Sequence, residues 1–558
     1  MSASWEAIAL HVQGERARKI PPAWQLPPQL LDSKQQDVSK IPASCGILSR
    51  VEIDITSNDA TAILENIHSG KWTAEQVCLA FCKRAAIAQQ LVNCLTDICF
   101  EEALETARSL DKKFRSSGKP VGTLHGLPIS IKDHVNVAGL RSTLGYCAWA
   151  DNIPTEDAVL VDALKQAGAI VFTKTTMPVT GMAIETVSKL WGRTTCGFNR
   201  SLVSGGSSGG DGALVGMYGA PVGIGTDIAG SIRVPCAFNG LYGIRPSMKR
   251  LSYQGLTSNV RGARGITGTI GPMCHSVRDI ELICKVVTDA EPWHVDANVI
   301  RKAWISRPLV PSRLTIGVMK FDGVVMPHPP ILRGLDEAAR KLKEAGHEVI
   351  EFEPHDHMRA WNIAYPLYYA TGCNEMQVLL DRTGEPWPPA AKRLSANPAL
   401  RELSASELYK LHAAQDDYKA EYLRHWNKTV QSSISGRPID ALLCPINPCA
   451  SYPHDHLTWW GYAAQWSLLD YPGVVLPVGF VDKTRDVRDS GYRPISDLDR
   501  ENYELYDPEL WHGAPIGLQL VGRNLDEERL LAVSAVVDDV VNRDSGQRQT
   551  RPNGNPKL

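Results

Sequence analysis

Residues 204–212 read S-G-G-S-S-G-G-D-G, and residues 225–235 read G-T-D-I-A-G-S-I-R-V-P. Glycines at this density forgo side-chain contacts and cost ordering entropy. They belong where backbone must take φ > 0, or where its N–H groups must approach a reacting oxygen closely. Serines set among them, above all Ser207, Ser208 and Ser231, are candidate nucleophiles or proton relays. The competing reading is a flexible Gly/Ser linker. Against it, the apolar segments 213–217, 221–224 and 237–244 interrupt the glycines at the spacing of short buried elements.

Working outward from this core, the chain shows α/β grammar. Upstream, Thr73 opens a capping box, T-A-E-Q, and the helical run through Gln90 puts Val77, Leu79, Phe81 and Cys82 near one stripe. A second helix is expected over 101–114. Then P-I-S-I (128–131) alternates like a strand and delivers Lys132 near its end. A helix over 157–166, a glycine at 168 and a buried strand over 169–173 follow. Downstream, strands are expected at 314–318, 347–352, 441–445 and 473–478, and turn plus strand at 512–521. Helices are expected at 331–344, with Leu332, Leu335, Ala338, Ala339 and Leu342 on one face, and at 526–541. No repeat or internal linker divides the chain. It reads as an N-terminal helix and wrapping arm (1–60), one domain over 61–541 with its Ser/Gly core at 125–275 and a helical insertion at about 354–436, and a disordered tail over 542–558.

Composition narrows the function classes. At 558 residues, 43% hydrophobic and 22% charged, the chain is an ordinary globular sequence large enough for a broad core. A formal net charge of -2 gives no basic footprint for nucleic acid. No apolar run has the length of a membrane span, and the acidic N-terminus lacks the form of a signal peptide. The expectation is therefore a cytoplasmic protein with neither a nucleic-acid nor a membrane partner. Thirteen scattered cysteines read as small buried apolar residues in a reducing compartment. Neither the Cys78/Cys82 nor the Cys444/Cys449 pair has a second pair at zinc-site spacing.

Three groups carry candidate chemistry: Lys132, the Ser207–Ser208 pair and Ser231. A lysine ending an apolar strand is costly unless paired or deprotonated. It either bridges backbone at the strand end or serves as a base whose pKa burial has lowered. Residues 205–209 satisfy G-x-S-x-G, the nucleophile-elbow pattern, with Ser207 as nucleophile. That pattern requires a strand directly before it, where this chain offers a loop, and no H-G-G-G precedes it. No Gly-Lys-Ser/Thr follows, so a phosphate loop does not fit.

Lys132 in G-L-P-I-S-I-K-D, Ser207 in G-G-S-S-G-G and Ser231 in G-T-D-I-A-G-S-I-R-V-P, followed by F-N-G-L-Y-G-I-R-P-S (238–247), resemble the hallmark segments of the amidase signature family. R-A-A-I-A-Q-Q-L (84–91), G-R-T (192–194), H-P-P-I-L-R-G (328–334) and H-G-A-P (512–515) resemble its fungal acetamidase branch, so the likeness extends over nearly the whole chain. The resemblance implies an α/β fold with a central mixed β-sheet sandwiched between α-helices. It implies Ser231 as the nucleophile that forms an acyl-enzyme, Ser207, in a cis peptide, as proton relay, and Lys132 as the base. It also implies an oxyanion hole from the N–H groups of Ile228, Ala229, Gly230 and Ser231, with Ser208, Asp227 and Arg233 fixing the loops. Ala229 departs from the family's usual glycine and Asp211 from its usual glutamate.

By family position, Gly181 and Met182 border the acyl pocket, Gly181 offering a carbonyl to the substrate amide. The aromatic cluster Tyr452, Trp459, Trp460, Tyr462, Trp466 and Tyr471 lines that pocket or packs a cap, and packing is the preferred reading. His454-Asp455-His456 lacks a third metal partner in sequence, and His125 and His134 read as scaffold. The expected function is a serine amidase without cofactor or metal, cleaving a short aliphatic amide such as acetamide, and a homodimer is compatible. The alternatives are an amidase for aromatic or secondary-metabolite amides, a partner-dependent amidotransferase-type subunit, and a silent binding protein.

Overall fold

The computed structural model describes residues 4–32, 34–389, 400–457 and 459–543. The expected disordered tail lies, from residue 544 on, outside the described residues, as do residues 390–399 of the helical insertion. The described residues build a mixed sheet of eleven strands: β1 (Leu95–Ile98), β2 (Pro128–Lys132), β3 (Ile170–Thr175), β6 (Val222–Asp227), β7 (Tyr242–Arg245), β8 (Thr269–Cys274), β9 (Thr315–Val318), β10 (Glu348–Glu351), β11 (Ala441–Pro445), β12 (Gly473–Phe480) and β13 (Pro515–Val521). A separate small ribbon supplies β4 (Val187–Ser188) and β5 (Gly192–Arg193). The sheet order is β1-β3-β2-β6-β8-β7-β12-β13-β11-β9-β10. β3, β2 and β6 run parallel, as do β11, β9 and β10. The remaining pairings are antiparallel.

Helices cover both faces of this sheet, as β13 shows. Successive strand residues point to opposite faces. A Cβ on Gly517 would lie 2.7 Å from that of Ala237, in the helix Arg233–Phe238, while Ile516 lies against Gly334 of the helix Pro329–Glu344. Both faces are thus buried, which is why the central strands read as unbroken apolar runs rather than alternating ones.

The local grammar of the sequence carries over. Thr73 and Gln76 form the expected capping box at the head of the helix Ala74–Val92. That helix is buried on nearly every side, so the stripe drawn through Leu79, itself only half-buried, is too narrow. Helices pack against it from several directions, and small residues such as Ala80, Ala85 and Ala88 let them approach. The helix expected at the N-terminus is Trp5–Arg18. Arg16 Nη1 and the following Lys19 Nζ donate to Leu95 O (2.6 Å) and Ile98 O (2.8 Å), which covers edge strand β1. Strands β1 and β8 are absent from the sequence reading. β1 has only four residues, and β8 carries two residues, Gly271 and Pro272, that read as turn formers.

Candidate active site

The register of β2 on β6 assembles the site. Ser130 lies opposite Gly223 and Ile131 opposite Ile224, so the carboxyl ends of two parallel strands put Lys132 beside Thr226 and Asp227. This is the crevice where open α/β sheets hold their chemistry. Lys132 is completely buried, with Nζ 2.8 Å from Ser207 Oγ, 2.8 Å from Ser208 Oγ and 2.9 Å from Thr226 Oγ1. Burial pushes its pKa down from the ordinary 10.5 to about 7, against the opposing pull of the Asp211, Asp227 and Asp133 carboxylates. Burial likewise raises Asp211, whose Oδ1 accepts from Ser130 Oγ (3.1 Å) one pleat repeat below the lysine.

Ser207 and Ser208 sit at the head of the helix Gly209–Gly216, after a loop and not after a strand, so the nucleophile-elbow reading has no structural basis. The Gly206–Ser207 peptide is cis. Gly206 answers to a close approach: a Cβ there would lie 2.4 Å from Ala183 O. The loop carrying Gly181 and Met182 is thereby seated against the Ser207 turn. Met182, like Tyr365 and Tyr368 of the helix His357–Tyr368, packs against the cluster of Tyr369, Cys373 and Met376.

Ser231 is tied to the same turn by Ser208 N–H donating to Ser231 O (3.1 Å), and it is only half-buried, which leaves its hydroxyl open to a substrate. The loop that carries it is wound around the Asp227 carboxylate. That carboxylate accepts from Gly230 N (2.7 Å), Ile232 N (3.1 Å), Arg233 Nε (3.0 Å) and Arg233 Nη2 (3.1 Å). Burial opposes ionisation of Asp227, but the Arg233 guanidinium outweighs it and holds the carboxylate down at about 2. Arg233 in turn reaches Gln519 Oε1 (3.1 Å) on β13 and Ser467 Oγ (3.2 Å). Gly230 needs its φ of +123°, and a Cβ there would press on Ala463 at 2.7 Å. Ala229 has no positive φ, so its extra methyl brings no backbone strain. Of the four expected oxyanion donors, the Gly230 N–H points to Asp227. The N–H groups of Ile228, Ala229 and Ser231 have no protein acceptor among the described residues.

Of the remaining candidates, His134 touches this cluster, its Nε2 2.9 Å from Thr226 Oγ1, and the aromatic residues border it through Ile228. Trp459, Tyr462, Trp466 and Tyr471 pack in an aromatic core, where Trp459 Nε1 donates to Asp322 Oδ2 (2.7 Å) and Tyr462 O–H to Val325 O (2.7 Å). Tyr452 is buried elsewhere, its O–H donating to Trp459 O (3.0 Å). Trp460 lies 6.3 Å from the ring of Tyr368, whose O–H donates to Ile228 O (3.3 Å), and Ile228 and Tyr368 also pack against the aromatic core that holds Trp459, Tyr462 and Trp466. His454 is held between Glu185 and Arg200 O, and Asp455 by Arg193. Among the described residues no three or more His, Cys, Asp or Glu side chains are grouped to hold a metal. His125 Nδ1 accepts from Val121 N (3.1 Å), far from the lysine's partners. Sequence reasoning missed Thr226, which it saw only as part of a glycine-flanked run. The signal was its position one residue before Asp227, at the end of a strand parallel to that of Lys132.

The family model described as Amidase matches residues 76–531. An amidase from Gibberella zeae is 42% identical over 96% of this chain and 99% of its own length. An acetamidase from Emericella nidulans is 40% identical over 96% of this chain and 98% of its own length. A solved structure of a fatty acid amide hydrolase superposes with a TM-score of 0.91 at 31% identity, covering 96% of this chain and 95% of its own. No helix among the described residues is long and apolar enough to cross a membrane. With its mixed sheet, its lysine and serines gathered at the strand ends, and these relatives matched along almost their full length, the chain belongs to the amidase family and is an amide-hydrolysing enzyme.

Proposed function

We propose that the protein is a serine amidase in which Ser231 attacks the carboxamide carbon, Ser207 relays the proton, and Lys132 receives and returns it. Neutral Lys132 takes the Ser207 hydroxyl proton while Ser207 Oγ takes that of Ser231, and the Ser231 oxygen adds to the carbonyl. Collapse of the tetrahedral intermediate sends a proton back through Ser207 to the leaving nitrogen, and ammonia departs from an acyl-enzyme. Water then repeats the cycle and releases the carboxylate. The observation that carries this reading is the completely buried Lys132 amine, 2.8 Å from Ser207 Oγ. The backbone N–H groups of Ile228, Ala229 and Ser231 would receive the oxyanion. A short aliphatic amide such as acetamide is the proposed substrate, supported by the acetamidase matched over nearly its full length.

Labelling with a fluorophosphonate followed by peptide mapping tests the assignment. An adduct on Ser231 is expected. An adduct on Ser207, or none on an enzyme active on acetamide, refutes it.

The pH profile supplies a second test. Because burial lowers the Lys132 pKa to about 7, the neutral form is scarce below that value and dominant above it. kcat/KM should therefore climb about tenfold per pH unit below roughly 7 and level off above it. A flat profile would remove Lys132 as the base, and a limb centred near the ordinary lysine value would remove the lowering of its pKa by burial.

A further inference from the structure

Three oxygens surround Lys132 Nζ at hydrogen-bond distance, yet a neutral amine has two N–H donors and one lone pair. Which oxygen meets the lone pair decides whether the amine takes a proton from Ser207. The answer lies in where the other two hydroxyls spend their own protons.

Ser208 Oγ donates to Thr226 O (3.2 Å) and accepts from Thr226 N (3.2 Å), so toward Lys132 it acts as an acceptor. Thr226 Oγ1 lies 2.9 Å from His134 Nε2. The other ring nitrogen, Nδ1, faces Thr257 O at 3.3 Å, and a carbonyl only accepts. Nδ1 therefore carries the hydrogen and Nε2 the lone pair. The backbone holds this pose, since Thr257 N–H donates to His134 O (2.9 Å). Thr226 thus gives its hydroxyl proton to His134. Its lone pairs are thereby left to accept from Lys132. With both N–H groups of Lys132 committed to Ser208 and Thr226, the lone pair is left for the Ser207 hydroxyl.

We infer that His134 is a positioning residue: through Thr226 it orients the Lys132 amine so that its lone pair faces Ser207. The inference rests on the reading of Lys132 as the base. His134 stays neutral because it is buried and because the Lys174 cation, and Lys132 once it has taken a proton, oppose a further charge. The ionisable groups that act on the lysine itself are Asp211, Asp227 and Asp133, and His134 does its work without titrating.

Two substitutions separate this role from a structural one. His134→Gln places an amide oxygen near the former Nε2 and keeps an acceptor for Thr226. His134→Asn keeps a donor toward Thr257 O and loses the reach to Thr226. On acetamide, His134→Asn should lower kcat roughly 10- to 100-fold, with KM changed by less than about twofold. His134→Gln should stay within about fivefold of the parent, and Thr226→Val should resemble His134→Asn. The double variant Thr226→Val/His134→Asn should be no slower than Thr226→Val alone, because both act through one hydroxyl.

An Asn variant as active as the Gln variant, or losses that multiply in the double variant, overturns the inference. Should the Asn variant fail to accumulate, His134→Gln introduced beside Thr226→Val decides. A change under about twofold supports the role, and a further loss overturns it. Lys132→Ala measured alongside distinguishes the two levels. If it retains acetamide turnover, the base reading itself has failed. If it is inactive while the His134 variants behave alike, only the role of His134 has.

Discussion

Lys132→Ala should cut kcat on acetamide by on the order of 10²–10⁴, while turnover of p-nitrophenyl acetate falls far less. The asymmetry follows from the leaving groups. An amide nitrogen must be protonated as it departs, whereas p-nitrophenolate leaves without a proton. Alanine removes both the acceptor for the Ser207 proton and the donor that returns it, because Nζ at 2.8 Å from Ser207 Oγ is the only amine in contact with that hydroxyl among the described residues. The variant should still fold. The partners in contact with the lysine are three neutral hydroxyls, so its loss breaks no direct ion pair. Parallel kcat measurements on the two substrates read the result, and equal losses would sink the relay.

Arg233→Met is expected to lower folding stability by about 3–5 kcal/mol at neutral pH, and activity with it. The Asp227–Arg233 pair is completely buried, and removing the guanidinium leaves an uncompensated carboxylate at the hub of the Ser231 loop. The pH dependence has a definite sign. With Arg233 present, the Asp227 pKa is depressed to about 2. Its contribution to stability is thus full above the ordinary carboxylate range and is lost only as pH falls through about 2. In the variant the carboxyl moves upward and takes a proton on mild acidification, which relieves the buried charge. The stability gap should therefore narrow as pH falls from 7 towards 4, as measured by urea denaturation at several pH values. A gap independent of pH would locate the loss in packing rather than in the ion pair.

Much of this protein is legible in one dimension because the information is local. The capping box at Thr73, the helix that follows Gly168 backwards in the chain and the strand after it, and the apolar run that ends on Lys132 each depend on residues a few positions apart. Strand β8 was not legible, since Gly271 and Pro272 argue for a turn until β6 and β7 pair with its two sides. The aromatic residues between 452 and 471 illustrate another limit. They form one cluster in sequence, yet the Trp460 ring lies near Tyr368 while its neighbour Trp459 reaches Asp322, because adjacent side chains leave the backbone in different directions.

The sequence by itself determined the kinds of group available: a lysine at the end of an apolar strand, serines among glycines, and the α/β alternation that would bury them. Only the tertiary structure decided how protons can move among them. Lys132 and His134 share one segment, Ser207 and Thr226 come from two others, and a hydroxyl donates or accepts according to which partners surround it. The parallel register of β2 on β6 brings Thr226 to Lys132, and the carbonyl of Thr257 sets the tautomer of His134. Hydrogen-bond direction is a property of that three-dimensional neighbourhood, so no motif, however specific, contains it.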